Sequence, residues 1–161
     1  TLPGLAGSCA EKAKKGGYIL SDSAGQPQLI LVASGSEVGS CVEAAAKLNA
    51  DGIATRVVSM PCMDLFLEQS LEYQKSVFAS GVPCLSVEAS AVHGWHRFSH
   101  AQIGMTRFGA SAPAKDLFAK FGFTTENVVK RGVELVEFYK GGAVPDLMNR
   151  PVFDNVVAGA H

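Results

Sequence analysis

The sequence predicts an α/β fold: a three-layer, open, mostly parallel sheet with helices on both faces. Leu29 to Ala33 is an unbroken apolar run of strand formers, as in a strand covered on both sides. Immediately after it the period changes. Val38, Cys41, Val42, Ala45 and Leu48 recur at helical spacing, with Glu43 and Lys47 pointing away. Ala54 to Met60 is a second strand, so residues 29–60 read as one β-α-β unit with parallel strands.

Taken in order, residues 1–16 read as a linker or entry arm with a short helix over Ser8 to Lys14. Gly17 to Leu20 is a short strand, closed by the turn-forming Ser21-Asp22-Ser23-Ala24-Gly25. In Ser34-Gly35-Ser36-Glu37, Ser34 and Glu37 fit a capping box that satisfies free backbone N–H groups at the start of the helix. Asp51-Gly52 ends that helix with Gly52 as the left-handed cap, and Pro61 stops the next strand. Leu65 to Ala79 has helical spacing, with Leu67, Leu71, Val77 and Phe78 as its apolar side. Gly81-Val82-Pro83 breaks it, and Cys84 to Glu88 is a third strand. A short amphipathic helix around Trp95 and a strand near Gln102 to Met105 follow. Phe108 to Pro113 is a turn; Pro113 opens a helix running to Phe121, and Gly122 stops it. The last helix starts at Thr124 or Thr125, buries Val128, Val129, Gly132, Leu135, Val136 and Tyr139, and ends at Gly141-Gly142. Residues 17–142 are thus the domain, and 143–161 a loosely held tail.

With 161 residues, 47% apolar and 18% charged, the chain can bury one self-supporting core and is not of disordered composition. A formal net charge of -1 argues against nucleic-acid binding, which calls for a basic face. No apolar run approaches the roughly 18 residues of a membrane span. Thr1-Leu2-Pro3-Gly4 lacks the pattern of a signal peptide, and the absence of an initiating methionine suggests a processed chain or a fragment. Cys9, Cys41, Cys62 and Cys84 are widely spaced, which reads as the reduced thiols of an intracellular protein.

A Gly turn between a strand and a helix is a shape that cradles anions, which makes Ser34, Gly35 and Ser36 the candidate ligand turn. The specific phosphate motifs fail there. A P-loop needs a Lys after its second Gly, and Gly39 is followed by Ser40. The three glycines of the dinucleotide fingerprint register as Ser34, Ser36 and Gly39. His93, His96 and His100 would share one face of a continuous helix, with Glu88 just before them, but the spacing is no specific metal signature and Gly94 and Ser99 weaken the helix. There is no Gly-x-Ser-x-Gly elbow and no family-specific cysteine signature. Glu68 and Glu72 read as solvated charge. From the residues alone, no catalytic, cofactor-binding or metal site emerges.

Several stretches together resemble the C-terminal domain of transketolase. They are Lys15 to Leu20, Ile30 to Val38, Gly52 to Pro61, Ser86 to Ala89, and above all Ile103-Gly104-Met105-Thr106-Arg107-Phe108-Gly109-Ala110-Ser111-Ala112-Pro113-Ala114, continuing through Phe121 to Thr124. The resemblance runs from near Thr1 to about Gly141, in the family's order and spacing. It implies a homodimeric enzyme that moves a two-carbon ketol group between sugar phosphates, using thiamine diphosphate and a divalent cation, magnesium or calcium. It also implies that catalytic, cofactor and substrate-phosphate residues lie in a diphosphate domain and a pyrimidine domain ahead of this one, so none is carried over. The expected partners are those domains and a second subunit, with no nucleic acid or membrane, and the expected location is the cytosol, an organellar form being the other option. Two further readings stand beside it: the last domain of another thiamine enzyme, such as a 2-oxoacid dehydrogenase β subunit, and a regulatory module binding a nucleotide or anion at the Ser34 turn.

Overall fold

The computed structural model describes residues 9–105 and 122–151. The turn expected over Phe108 to Pro113 and the helix expected to Phe121 lie outside them. The described chain runs α1 (Cys9–Ala13), β1 (Tyr18–Ser21), β2 (Leu29–Ala33), α2 (Glu37–Ala50), β3 (Thr55–Ser59), α3 (Met63–Leu67), α4 (Leu71–Val77), β4 (Cys84–Ala91), a 3-10 turn (Trp95–Arg97), β5 (Ala101–Met105) and α5 (Thr125–Phe138).

The strands form a sheet in the order β1-β3-β2-β4-β5. β3, β2, β4 and β5 are parallel, and β1 joins β3 antiparallel with a register shift between Ile19 and Ser21. β2 sits in the middle, and its five residues are all buried. Alternation sends Leu29, Leu31 and Ala33 into one core and Ile30 and Val32 into the other. The first core is filled by Val38, Cys41, Ala44, Ala45 and Leu48 of α2 and by Val128 and Leu135 of α5. The second is filled by Phe66, Val77, Phe78, Trp95, Phe98 and Met148. This two-sided burial explains why β2 reads as a continuous apolar run, and it makes the fold the expected three-layer α/β sheet.

Local chemistry sets the ends of the elements. Gly52 closes α2 at a φ of +86°. Thr124 caps α5 by accepting the Asn127 N–H at 3.2 Å. Gly132 lets α5 approach β2: a Cβ there would stand 2.8 Å from Leu29 Cδ2. Arg56 of β3, buried at 9% exposure, reaches Asp22 in the turn after β1 and the Ser76 and Val77 carbonyls at the end of α4.

Two expectations are corrected. The single helix over Leu65 to Ala79 is two short ones, because side chains supply partners that favour a break. Ser70 accepts the Tyr73 N–H at 3.2 Å and starts α4, while Gln74 Nε2 donates to the Leu67 and Gln69 carbonyls at 3.2 and 2.9 Å. The break turns Leu71 outward, at 48% exposure. The segment after Gly142 is also not loose over the residues described. Met148 is buried against the second core, and Asp146 accepts the Ser80 hydroxyl at 2.7 Å.

Candidate functional site

Parallel strands present their C-terminal ends on one side of the sheet, where open α/β sheets hold ligands. The Ser34-Gly35-Ser36 turn lies there, at the end of the central strand. The β2–β4 register pairs Ala33 with Val87, so the next residue on each strand, Ser34 and Glu88, meet across the pair. The Ser34 hydroxyl donates to Glu88 Oε2. Gly35 takes a φ of +54°, a turn that a side chain would strain. Ser36 is the N-cap of α2, yet it has helical dihedrals and no side-chain cap bond; its hydroxyl donates to Glu37 Oε2 at 3.1 Å.

The capping box expected from Ser34 and Glu37 is therefore absent. Ser34 is drawn away by Glu88, and α2 begins two residues later than the box requires. Glu37 is nevertheless buried at 4% exposure. Its position in the first turn of α2 places a carboxylate at the positive end of the helix dipole. Glu88 is half-buried, and that burial raises its carboxyl above the ordinary value; the Ser34 hydrogen bond pulls the other way and the Glu37 charge adds to the rise. The turn is thus lined by two serine hydroxyls, both committed to carboxylates. Among the described residues no histidine bonds to Ser34 or Ser36, so neither hydroxyl has the base of a Ser-His-Asp arrangement.

The three histidines do not share a face, because one 3-10 turn replaces the continuous helix their spacing requires. His93 sits in the turn before it and His96 within it, both exposed. His100 is turned inward, where Nδ1 accepts the Cys84 N–H at 3.0 Å. Among the described residues no three His, Cys, Asp or Glu side chains converge as metal ligands would. Cys41 and Cys84 are buried free thiols and Cys62 a half-buried one. Burial pushes the Cys41 and Cys84 thiols up, away from the thiolate that nucleophilic chemistry needs. A groove of about 520 Å³ lies elsewhere, at the β1 edge, between Lys12 and Lys15 on one side and Tyr73 and Val77 on the other.

Sequence reasoning found the Ser34 turn but missed its partner Glu88 and the burial of Glu37. A signal existed: Ser34 is the first polar side chain after the apolar run of β2, and Glu88 is the first charged side chain in β4. Reading it required the adjacency of β2 and β4, which periodicity does not supply.

The family model described as the Transketolase-like TK C-terminal domain matches residues 16–124. The transketolase of Kluyveromyces lactis is 49% identical over 148 residues, 92% of this chain and 22% of that protein. Transketolase 1 of Aliivibrio fischeri is 53% identical over 126 residues, 76% of this chain and 19% of that protein. The crystal structure of the Pichia stipitis transketolase in complex with sedoheptulose 7-phosphate superposes with a TM-score of 0.86 at 46% identity, covering 94% of this chain and 22% of that one. The chain spans about a fifth of the length of the curated relatives it matches. Sequence, strand order and superposition agree, and the chain belongs to the transketolase family through its C-terminal domain.

Proposed function

We propose that residues 17–142, sealed by the segment to Arg150, are the third domain of a cytosolic ketol transferase. That enzyme moves a two-carbon unit from a ketose phosphate to an aldose phosphate, and this domain supports its fold and its homodimer without contributing catalytic groups. The observation that carries the reading is the extent of the match: nearly the whole chain aligns with about a fifth of each transketolase. Among the described residues, those of the Ser34 turn do not fit thiamine diphosphate or its cation. A diphosphate at the Ser34 turn would face Glu37 and Glu88, and no three metal-ligating side chains converge among the described residues. The same carboxylates weigh against an anionic regulatory ligand at Ser34, Gly35 and Ser36. Among the described residues no helix is long and apolar enough to cross a membrane.

The test has two arms. The purified 161-residue chain should transfer no ketol group from xylulose 5-phosphate to ribose 5-phosphate with thiamine diphosphate and magnesium supplied. Titration calorimetry with thiamine diphosphate, sugar phosphates and nucleotides should give no heat. Turnover would overturn the structural reading, and micromolar nucleotide binding would replace it with a regulatory one.

A further inference from the structure

After α5 the chain returns across the N-terminal ends of β2 and β4, the side of the sheet opposite the Ser34 turn. Met148 plugs the second core there, beside Ile30, Phe78, Val82 and Phe98. Asp146 organises the returning segment. It accepts the Met148 and Asn149 N–H groups at 3.0 and 3.2 Å as well as the Ser80 hydroxyl at 2.7 Å, and Lys75 lies 3.8 Å away.

His100 joins this segment to the rest of the domain. The Cys84 N–H donates to Nδ1 at 3.0 Å, so Nδ1 carries a lone pair, and the single ring proton is on Nε2. Nε2–H then donates to the Pro145 carbonyl at 2.9 Å. Tyr139, just past α5, stands edge-on to the ring at a centroid distance of 5.5 Å. One imidazole therefore ties the first residue of β4, the end of α5 and the returning segment together, and it does so in one tautomer only.

We propose that His100 is a proton-operated clasp: its neutral Nε2–H form holds residues 145–150 over the N-terminal ends of β2 and β4, and a proton added at Nδ1 opens it. The added proton bonds to the Nδ1 lone pair, so two N–H donors, Nδ1–H and the Cys84 N–H, point at each other. The ring must turn away, which gives up the Pro145 bond as well and leaves the Cys84 N–H unpaired in a buried place. The titratable groups around the ring are Tyr139, edge-on to it, and Cys84 and Asp146, which line the same crevice, with Lys75 3.8 Å from Asp146. None takes over the switch. The Ser80 hydrogen bond, with the Met148 and Asn149 N–H groups and the Lys75 charge, keeps the Asp146 carboxyl below the ordinary carboxylate value. It therefore stays ionised between about pH 5 and 8, where imidazoles change charge. Glu88 lies at the far end of β4, away from this segment. Opening would uncover Ile30, Phe78, Val82 and Phe98.

Hydrogen exchange on the 161-residue chain tests the clasp. On moving from about pH 7.5 to about pH 5.5, the Cys84, Met148 and Asn149 amides should lose about tenfold in protection beyond the intrinsic rate change. The Leu31 amide of β2 should not. His100→Gln offers an amide oxygen to Cys84 and an NH₂ to Pro145 without a titrating ring, so its protection should be equal at both pH values. An unresponsive wild type, or a variant that loses protection like the wild type, would overturn the proposal. If His100→Gln is loose at both pH values, wild-type NMR decides: the Cys84 amide shift must titrate with the same midpoint as the His100 ring, and separate midpoints overturn it.

Discussion

Arg56 holds Asp22 with two parallel bonds, Nε to Oδ1 at 2.9 Å and Nη2 to Oδ2 at 3.0 Å, while Nη1 donates to the Ser76 and Val77 carbonyls at 2.8 and 3.0 Å. One guanidinium thereby fixes the turn after β1, β3 and the end of α4. Arg56→Met keeps the buried stem but strands two carbonyls and the Asp22 charge, and should cost about 2–4 kcal/mol in urea unfolding. Asp22→Asn should cost less, because that carboxylate is 42% exposed. Equal losses in the two variants would mean that the ion pair, and not the helix end, carries the stability.

Ser34→Ala should lower stability by about 1 kcal/mol through the lost bond to Glu88, with α2 intact, because the serine does not cap the helix. In the full-length enzyme, ketol transfer should be nearly unchanged. A folded variant with a large loss of activity would place Ser34 in the chemistry.

Glu88 gives a pH signature. Its folded carboxyl binds its proton more tightly than in the unfolded chain, so its contribution to stability is lost as pH rises from the ordinary carboxylate value through the raised one. Glu88→Gln should therefore gain in Tm relative to wild type as pH rises through that window, then hold a constant difference. Parallel Tm curves for the two proteins would rule this out.

Gly16 has a φ of +79°, and a Cβ there would run into the main chain at Cys62 and Phe66. Its carbonyl accepts the Cys62 N–H at 2.9 Å. Gly16→Ala should cost about 2 kcal/mol or more, combining left-handed strain with a backbone clash. A Tm within a degree or two of wild type would show that the entry to β1 shifts freely.

Ser70→Ala removes the cap that separates α4 from α3 and should cost about 1 kcal/mol. Circular dichroism should show no gain in helix, because Gln74 still bonds the Leu67 and Gln69 carbonyls. A rise in helicity would mean that Ser70 alone prevents the single helix.

The layers were legible in the sequence, because β2, α2, β3 and α5 owe their form to burial at a regular period. What escaped depends on contacts between distant residues or on side chains bonding to backbone. The break at Ser70 leaves the apolar spacing of Leu67 and Val77 untouched. Met148 is buried only because β2 and β4 present a gap to it, and Gly142 gave no sign that the chain would turn back. The Ser34 hydroxyl was close to a helix start in sequence but closer to Glu88 in space, and the strand order decided between them.

The central position of β2 has a consequence for how the chain is made. During synthesis β2, α2 and β3 emerge in succession after α1 and β1 and can pair at once, which buries Leu29 and Leu31 under α2. The opposite side of the same strand, Ile30 and Val32, waits for Phe66, Phe78 and Phe98, and Met148 closes it last. The half-built sheet on the ribosome is therefore one-sided, with a sticky underside that persists until Met148 has emerged. That interval is where chaperones would be expected to engage the nascent domain, and where a stalled or truncated product would aggregate.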